Sequence, residues 1–335
     1  MSAARGVRTG ERQVRVAVVG GGEFGRNHLR VYRDMPNVKL VGVVDENRER
    51  AAQVAQEFQV HAFQSLEELH GVADAASVAV PTGVHREIGC RLLAMGIDAL
   101  VEKPMARTLA EADALIECAR NNSRILQVGH VERFNPAVLA VEPIVNRPLF
   151  FEVHRLGVFT PRSLDVDVIY DLMIHDLDIL LALLEEPVKE VKAVGIAVLT
   201  DKVDIAHARL EFSGGAVANV TASRVSTERV RKMRFFQQHE YISLDYARRD
   251  ALRIGVKRGG PEPEFAFEKL PAPDVEPLRG ELQAFVTAVR TRVAPKTDGE
   301  AGRAALELAD RVMESIREHE SRVQPVAPAH SRAGQ

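Results

Sequence analysis

From Val16 to His28 the chain reads Val-Ala-Val-Val-Gly-Gly-Gly-Glu-Phe-Gly-Arg-Asn-His, an apolar run closed by Gly20, Gly22 and Gly25. The spacing is G-x-G-x-x-G. A strand ending at Gly20 and a helix starting near Gly25 would turn tightly at the first glycine. They would let a pyrophosphate approach the backbone at the second and pack helix on strand at the third. The free N–H groups and positive dipole end of that helix would face the phosphates. Glu23 and Phe24 stand inside the loop and are expected beside the same ligand. A second apolar run, Val38 to Val44, ends in Asp45, at roughly the 20-residue distance from the last glycine that this fingerprint calls for. The Asp45 carboxylate can accept from the adenosine ribose hydroxyls and would repel a 2′-phosphate, so the expected cofactor is NAD rather than NADP. The competing explanation is an ordinary βαβ glycine turn followed by a solvated aspartate.

Four further constellations carry groups that could act on a substrate. Pro81, Thr82 and His85 follow an apolar run and so fall at the carboxyl end of a strand, the edge where open α/β sheets bind ligands. They are cofactor candidates, although Thr82 is equally suited to capping the next helix. Glu102-Lys103-Pro104 follows another strand. From there the Lys103 ammonium could bond a substrate hydroxyl and stabilise an emerging alkoxide, with Glu102 near the cofactor. The plainer reading is a solvated lysine beside a proline turn. Asp171 and His175 are four residues apart and share a helical face, with Asp178 close to it. A carboxylate there can orient the imidazole and stabilise its protonated form, as a general base needs. The same acids could serve the helix dipole or, with the imidazole, a metal. Hydride transfer to NAD needs no metal, and none is expected. Last, Ser223 to Arg234 is strongly basic. Strand alternation would put Arg229 and Arg231 on one face, Lys232 and Arg234 on the other. Arginine forks suit a diphosphate; a solvated strand face or a subunit contact is the alternative.

These groups need a scaffold, and the hydrophobic pattern supplies one. Strands at Val14–Val19, Val38–Val44, His61–Phe63, Ala75–Val80, Asp98–Val101 and Arg124–Val128 alternate with helical segments. Among the helices are Asn47–Phe58, Val84–Met95 and two that open with capping boxes, Ser65/Glu68 and Thr108/Glu111. That alternation implies a doubly wound parallel sheet. After Gly129 the rhythm changes. Asn135 and Pro136 suit the start of a helix, with Phe134 and Leu139 placed for a hydrophobic staple. Strands then dominate: Phe150–Val158, Val188–Val198, Asp204–Phe212, Ala216–Ser223, Val230–Phe236, Tyr241–Tyr246 and Ala251–Val256, with a hairpin turn at Ser213–Gly215. Helices at Ile169–Leu184, Leu278–Thr291 and Ala304–His319 complete an α+β second domain with a large, mainly antiparallel sheet. The expected division is 1–12 flexible, 13–128 dinucleotide-binding, 129–320 substrate-binding and oligomerisation, and 321–335 disordered tail.

The 335 residues suffice for two domains, and 46% hydrophobic with 27% charged is ordinary for a globular protein. A net charge of −3 gives no general affinity for nucleic acid. No run approaches the ~18 apolar residues of a membrane span, and the polar first residues lack the apolar core of a signal peptide. Cys90 and Cys118 have neither disulfide-framework nor zinc spacing, which fits a reducing cytoplasm.

Taken in order, Gly20–His28, Asp45, Val80-Pro-Thr-x-x-His85, Glu102-Lys-Pro104 and Asp171-x-x-x-His175 resemble the glucose–fructose oxidoreductase / inositol dehydrogenase / MocA family. The resemblance runs from about Val14 to His319. It implies a Rossmann domain followed by a domain built on a large open sheet, and catalytic positions at Lys103, Asp171 and His175. By that analogy His175 takes the hydroxyl proton while the hydride leaves the same carbon for the nicotinamide. Lys103 holds the hydroxyl and Asp171 tunes His175. Three stretches, Val128–Ala137, Asp165–Asp178 and Arg224–Arg234, further resemble the bacterial UDP-N-acetylglucosamine 3-dehydrogenases. That narrower resemblance implies oxidation of a sugar-nucleotide 3-hydroxyl to a 3-keto sugar, which is then transaminated for lipid A. Substrate candidates on these stretches are Arg133, Asn135, Arg229, Arg231 and Lys232. Other readings stay open: a polyol or inositol dehydrogenase, an NAD-dependent glycosidase, or an NAD-binding regulator without turnover. The basic segment favours a diphosphate over a neutral polyol, and the Lys103, Asp171 and His175 set argues against a mere sensor. An open sheet face makes a homodimer or homotetramer the expected assembly.

Overall fold

The computed structural model describes residues 12–160, 166–257 and 264–323; nearly all of the expected N-terminal extension and of the tail, and Asp165, lie outside them. The first sheet is wholly parallel. Its strands are β1 (Val14–Val19), β2 (Val38–Val44), β3 (His61–Phe63), β4 (Ala75–Val78), β5 (Asp98–Glu102) and β6 (Leu126–Gly129), in the order β3-β2-β1-β4-β5-β6. Crossovers carry α1 (Glu23–Arg33), α2 (Arg48–Phe58), α3 (His85–Ala94) and α4 (Leu109–Asn121). Val16, Ala17 and Val18 are fully buried, as strands covered by helices on both faces must be. Strand order reverses between β1 and β4, so the crevice for a ligand opens between the loops that follow those two strands.

Local signals are met unevenly. Thr108 caps α4 by accepting from the Glu111 N–H, but the Glu111 carboxylate reaches back to the N–H of Arg107 rather than that of Thr108. At Ser65/Glu68 no full helix forms. A single 3-10 turn spans Glu67–Leu69, and Glu68 accepts from the Gln64 N–H. Thr82 makes no side-chain cap at the turn Thr82–Val84 or at α3. Contrary to expectation, Cys90 of α3 and Cys118 of α4 are joined by a disulfide. The two helices pack side by side, which brings together cysteines 28 residues apart without any spacing motif.

Asn135 caps α5 (Pro136–Val141), accepting from the Ala137 N–H, with proline at the first turn. The second sheet has eight strands: β7 (Phe150–Leu156), β8 (Val188–Ile196), β9 (Ile205–Phe212), β10 (Val217–Ser223), β11 (Val230–Gln237), β12 (Glu240–Asp245), β13 (Asp250–Lys257) and β14 (Glu264–Lys269). Their order is β14-β13-β12-β11-β7-β10-β9-β8, and only β7 with β10 is parallel. β8 stops at Ile196, short of the expected Val198. The N–H groups of Val198, Leu199 and Thr200 turn instead to the Asp204 carboxylate. β14 has no counterpart among the expected strands. Each of its residues is exposed, so no buried alternation marks it.

One face of this sheet packs on a helix that differs from its expected form. Ile169–Met173 is a π-helical turn, followed by α6 (Ile174–Leu184). α7 (Pro277–Thr291) and α8 (Gly299–Arg322) close the chain. Leu282, Phe285 and Val286 of α7 join the core of β1, β2 and α1, and Leu306 of α8 joins that of β4 and β5. Ala309, Val312 and Ile316 of α8 reach the core of the second sheet. The chain leaves the first sheet at Gly129 and enters the second at Phe150, while α8 reaches the cores of both.

Candidate active site

The glycine loop is built by close approach. Gly20 sits at φ +101°, and a Cβ there would strike the Ala79 carbonyl; a Cβ on Gly25 would strike the carbonyl of Gly20. A Cβ on Gly22 would meet nothing within 4 Å, so the backbone there is open to a ligand. Two clefts meet at this loop and share Gly22, Ala79, Val80 and Pro81. The first, about 580 Å³, is bordered by Asp45, Arg50, Gln64, Ser65 and Leu66. The second, about 860 Å³, is bordered by Glu23, Phe24, Thr82, Lys103, Asp171 and Lys202. The open backbone at Gly22, the α1 N-terminus and the acid at the end of β2 fit a dinucleotide laid across both clefts.

Asp45 is almost wholly buried and fully engaged. Its two oxygens accept from the N–H of Gly21 (2.6 Å), the N–H of Asn47 (2.8 Å) and both arms of the Arg50 guanidinium (2.8 Å each). Burial alone would raise its pKa, but these hydrogen bonds outweigh burial and hold it below the usual carboxylate range. A ribose hydroxyl at Asp45 must therefore share with or displace Arg50. His85 is buried away from the cleft. Its ring nitrogens meet the carbonyls of Val80 (2.8 Å) and Pro104 (3.1 Å), so it ties together the loops after β4 and β5 rather than offering a contact of its own.

Lys103, just past β5, donates to the backbone carbonyl of Asp171 (2.6 Å) and to its carboxylate (3.3 Å). This differs from the expected pairing of Asp171 with His175. The π-turn closes i to i+5 bonds, which breaks the one-above-another alignment of residues four apart. The acid consequently turns to the lysine. His175 is half-buried, with Nδ1 sealed off and unpartnered, and its ring lies 6.5 Å from that of His130. Burial, then the positive charges of Lys103, Arg155 and Arg231, push its pKa well below the ordinary histidine value. Those neighbours place it at the junction of the two sheets. Nor do Asp171, His175 and Asp178 gather as a ligand set: Asp178 accepts from Arg133 (3.4 Å) and stands 3.9 Å from His130.

The sequence reading missed the buried network beside His175. Arg155 of β7 grips Asp176 with two arms, at 2.6 and 2.9 Å, and Glu132 with a third at 2.9 Å, and lies over the Tyr246 ring. Only the strand pairing identifies it, because Arg155 sits directly opposite Arg231. On β11, Arg231 shares the face of Met233 and Phe235, which point into the core. No ion pair holds Arg229 or Arg231 among the described residues. Two substrate candidates are engaged elsewhere. Lys232 points to the opposite sheet face, 3.6 Å from Asp245. Asn135 is buried, capping α5 and donating to Glu132 and to the Tyr246 carbonyl. Arg133 is likewise buried, tying its turn to α6 through Asp178.

A reversed-order parallel sheet, an open glycine cradle and a lysine–histidine pair at the domain junction define an NAD-dependent oxidoreductase of two domains. Residues 14–130 match the oxidoreductase family with an NAD-binding Rossmann fold, and residues 150–240 match the GFO/IDH/MocA C-terminal domain. The chain is 38% identical over 307 residues to UDP-N-acetylglucosamine 3-dehydrogenase of Acidithiobacillus ferrooxidans, covering 90% of this chain and 97% of that one. A solved structure of that enzyme superposes with a TM-score of 0.86 at 37% identity, over 92% of this chain and 99% of the other. Levoglucosan dehydrogenase in complex with NADH and levoglucosan shares the fold, with a TM-score of 0.82 at 21% identity over 92% and 98% of the two chains. The chain belongs to the GFO/IDH/MocA family of oxidoreductases.

Proposed function

We propose that this enzyme oxidises the 3-hydroxyl of a nucleotide-linked sugar, UDP-N-acetylglucosamine first among the candidates. The observation that carries the reading is Arg231. Among the described residues it is a cation without an ion-pair partner, on the sheet face that borders His175, where a neutral polyol would have no use for it. The 38% identity to a UDP-N-acetylglucosamine 3-dehydrogenase points the same way.

NAD, when bound, supplies the hydride acceptor. Gly20, Gly22 and Gly25, with the α1 N-terminus, would hold its phosphates, Asp45 its ribose, and Phe24, Pro81 and Thr82 the walls of its cleft. Lys103 donates to the substrate hydroxyl and favours its anionic character as the proton leaves. His175 is the base; with Nδ1 buried, Nε2 is the nitrogen that takes the proton. Asp171 holds the lysine in place. Arg231, with Arg229 at the strand's entrance, binds the diphosphate. The 3-keto product is what a transaminase needs to set an amine at that carbon, consistent with a place in lipid A synthesis in the cytoplasm.

A second copy of the chain would cover the outer sheet face. There Phe150 stacks on Phe236, Tyr241 tilts against Phe236, and Phe265 and Phe267 are exposed, and we take the working form to be a homodimer or homotetramer. No helix among the described residues is long and apolar enough to cross a membrane. The deciding experiment is a panel of UDP-sugars and inositols with NAD, followed by NADH absorbance. Turnover of inositols without UDP-sugars would establish the polyol reading. Glycoside cleavage without net NADH would establish the glycosidase.

A further inference from the structure

Directly behind Lys103 lies a buried polar cluster that the reaction, as described, does not use. Glu102, the last residue of β5, bonds His28 of α1 at 2.9 Å. Glu281 of α7 has no exposure, and neither of its carboxyl oxygens has a partner. Ligand atoms of His28, Glu102 and Glu281 all fall within 4.8 Å of one another. A lone carboxylate in such a place would be prohibitively costly, so it must carry a proton or face a cation. A cation has to compete with the His28 bond that already occupies Glu102. A proton on Glu281 needs only an acceptor, and the Glu102 carboxylate is adjacent.

We propose that Glu281 is a positioning residue for Lys103: a neutral acid that donates its proton to a hydrogen bond on Glu102, fastening the end of β5 to α7. The inference rests on Lys103 belonging to the active site. The groups facing the cluster are consistent with it. They are His28 and Tyr32 from α1, Glu102 from the end of β5, Lys103 just past it, His130 after β6, and Asp178 from α6. Burial, then the charges of Glu102 and Asp178, drive the Glu281 pKa well above the carboxylate range. Burial opposes ionisation of Glu102 as well, but its bond to His28, the charges of His28 and Lys103 and the Lys103 backbone N–H together outweigh this and hold its pKa below the usual carboxylate range. Gln127 of β6 fixes the helix by donating its Nε2 to the Glu281 carbonyl at 3.2 Å. With its carbonyl held by Gln127 and its carboxyl bonded to Glu102, Glu281 would leave the backbone that leads into Lys103 no freedom to drift.

The test compares Glu281→Leu with Glu281→Gln in the full-length enzyme. Leucine removes the donor; glutamine is neutral and keeps one. Glu281→Leu should lower kcat about 10- to 100-fold, the size expected when a catalytic group is misplaced by a fraction of an ångström to an ångström. KM for NAD should barely move, and Glu281→Gln should restore most of the rate. In the infrared difference spectrum of wild type minus Glu281→Gln, a carbonyl stretch of a neutral carboxylic acid should be present at neutral pH. Normal kcat in the leucine variant overturns the proposal. So does loss in both variants together with a divalent metal found in wild type and absent from Glu281→Gln, which would make the cluster a cation site. If the leucine variant does not fold, absence of the infrared band overturns it alone. Lys103→Ala with undiminished kcat would instead sink the active-site reading, and the infrared result would still stand.

Discussion

Replacing His175 by alanine probes the proposed chemistry most directly. In the folded protein its pKa lies well below the ordinary value, because burial and the cations Lys103, Arg155 and Arg231 disfavour the charged ring. The imidazole is therefore neutral throughout the physiological range, and the whole of its contribution as a base is on display at pH 7. A positioned general base contributes about 10²–10⁴-fold, which is roughly 2.7–5.5 kcal/mol of barrier at 1.36 kcal/mol per decade. We expect His175→Ala to lower kcat by that factor while NAD affinity is spared. The sign of the pH dependence follows. Activity of the wild type falls as the pH drops through the lowered pKa, so kcat/KM has an acidic limb below the usual histidine range, and the variant lacks it. Initial rates of NADH formation across roughly pH 5–9 give both quantities. Lys103 and His175 act on one hydroxyl, so the double variant should lose less than the product of the single losses. A His175→Ala enzyme with near-normal kcat and an unchanged acidic limb would show that the ring only packs, and Lys103 would become the candidate base.

Two further tests use the cation and anion placements. Asp45→Ser should narrow the preference for NAD over NADP measured by kcat/KM, because it removes the acid and frees Arg50 for a 2′-phosphate. Equal use of the two cofactors by the wild type would refute the role given to Asp45. Arg231→Ala should raise KM for the sugar nucleotide about 10- to 100-fold, the worth of a charge-assisted hydrogen bond at ~1.5–3 kcal/mol. Lys232→Ala should leave it unchanged, because that lysine pairs with Asp245 on the other sheet face. The same KM in both variants would place the diphosphate elsewhere.

The parallel sheet was legible because each strand is a short apolar run bounded by turn residues, and because glycine spacing and Asp45 locate the crevice. Lys103 stood out for a related reason, because it follows directly on the β5 strand, whereas His175 was singled out on a helix by its spacing from Asp171. Partnership was not. Asp171 and His175 look paired when four residues apart are assumed to eclipse, and a single π-turn sends Asp171 to Lys103 instead. Lys232 looks like its neighbour Arg231 until strand pairing puts Arg231 opposite Arg155 and Lys232 opposite His154. Asn135, read both as a helix cap and as a substrate candidate, is buried and caps α5. Arg155 and Glu281 carry no local signal, since each matters only through residues distant in sequence.

The charges around His175 also say something about the substrate. Asp176 and Glu132 are both consumed by Arg155, and Asp178 is held by Arg133. Each of these acids is thus engaged by another arginine, whereas no ion pair holds Arg231 among the described residues, although Glu132 and Asp176 lie near enough to act on its charge. Such a site keeps the base neutral, and a diphosphate would add two negative charges to it. Bound there, it would offset Arg231 and relieve the pressure that lowers the His175 pKa. The limb of kcat, which reports the enzyme–substrate complex, should then lie at higher pH than the limb of kcat/KM, which reports the free enzyme. A neutral polyol leaves the cations uncompensated and gives no such separation. Coincident limbs with a UDP-sugar would mean that its diphosphate binds beyond the reach of Arg231, and the assignment of that arginine would have to be abandoned.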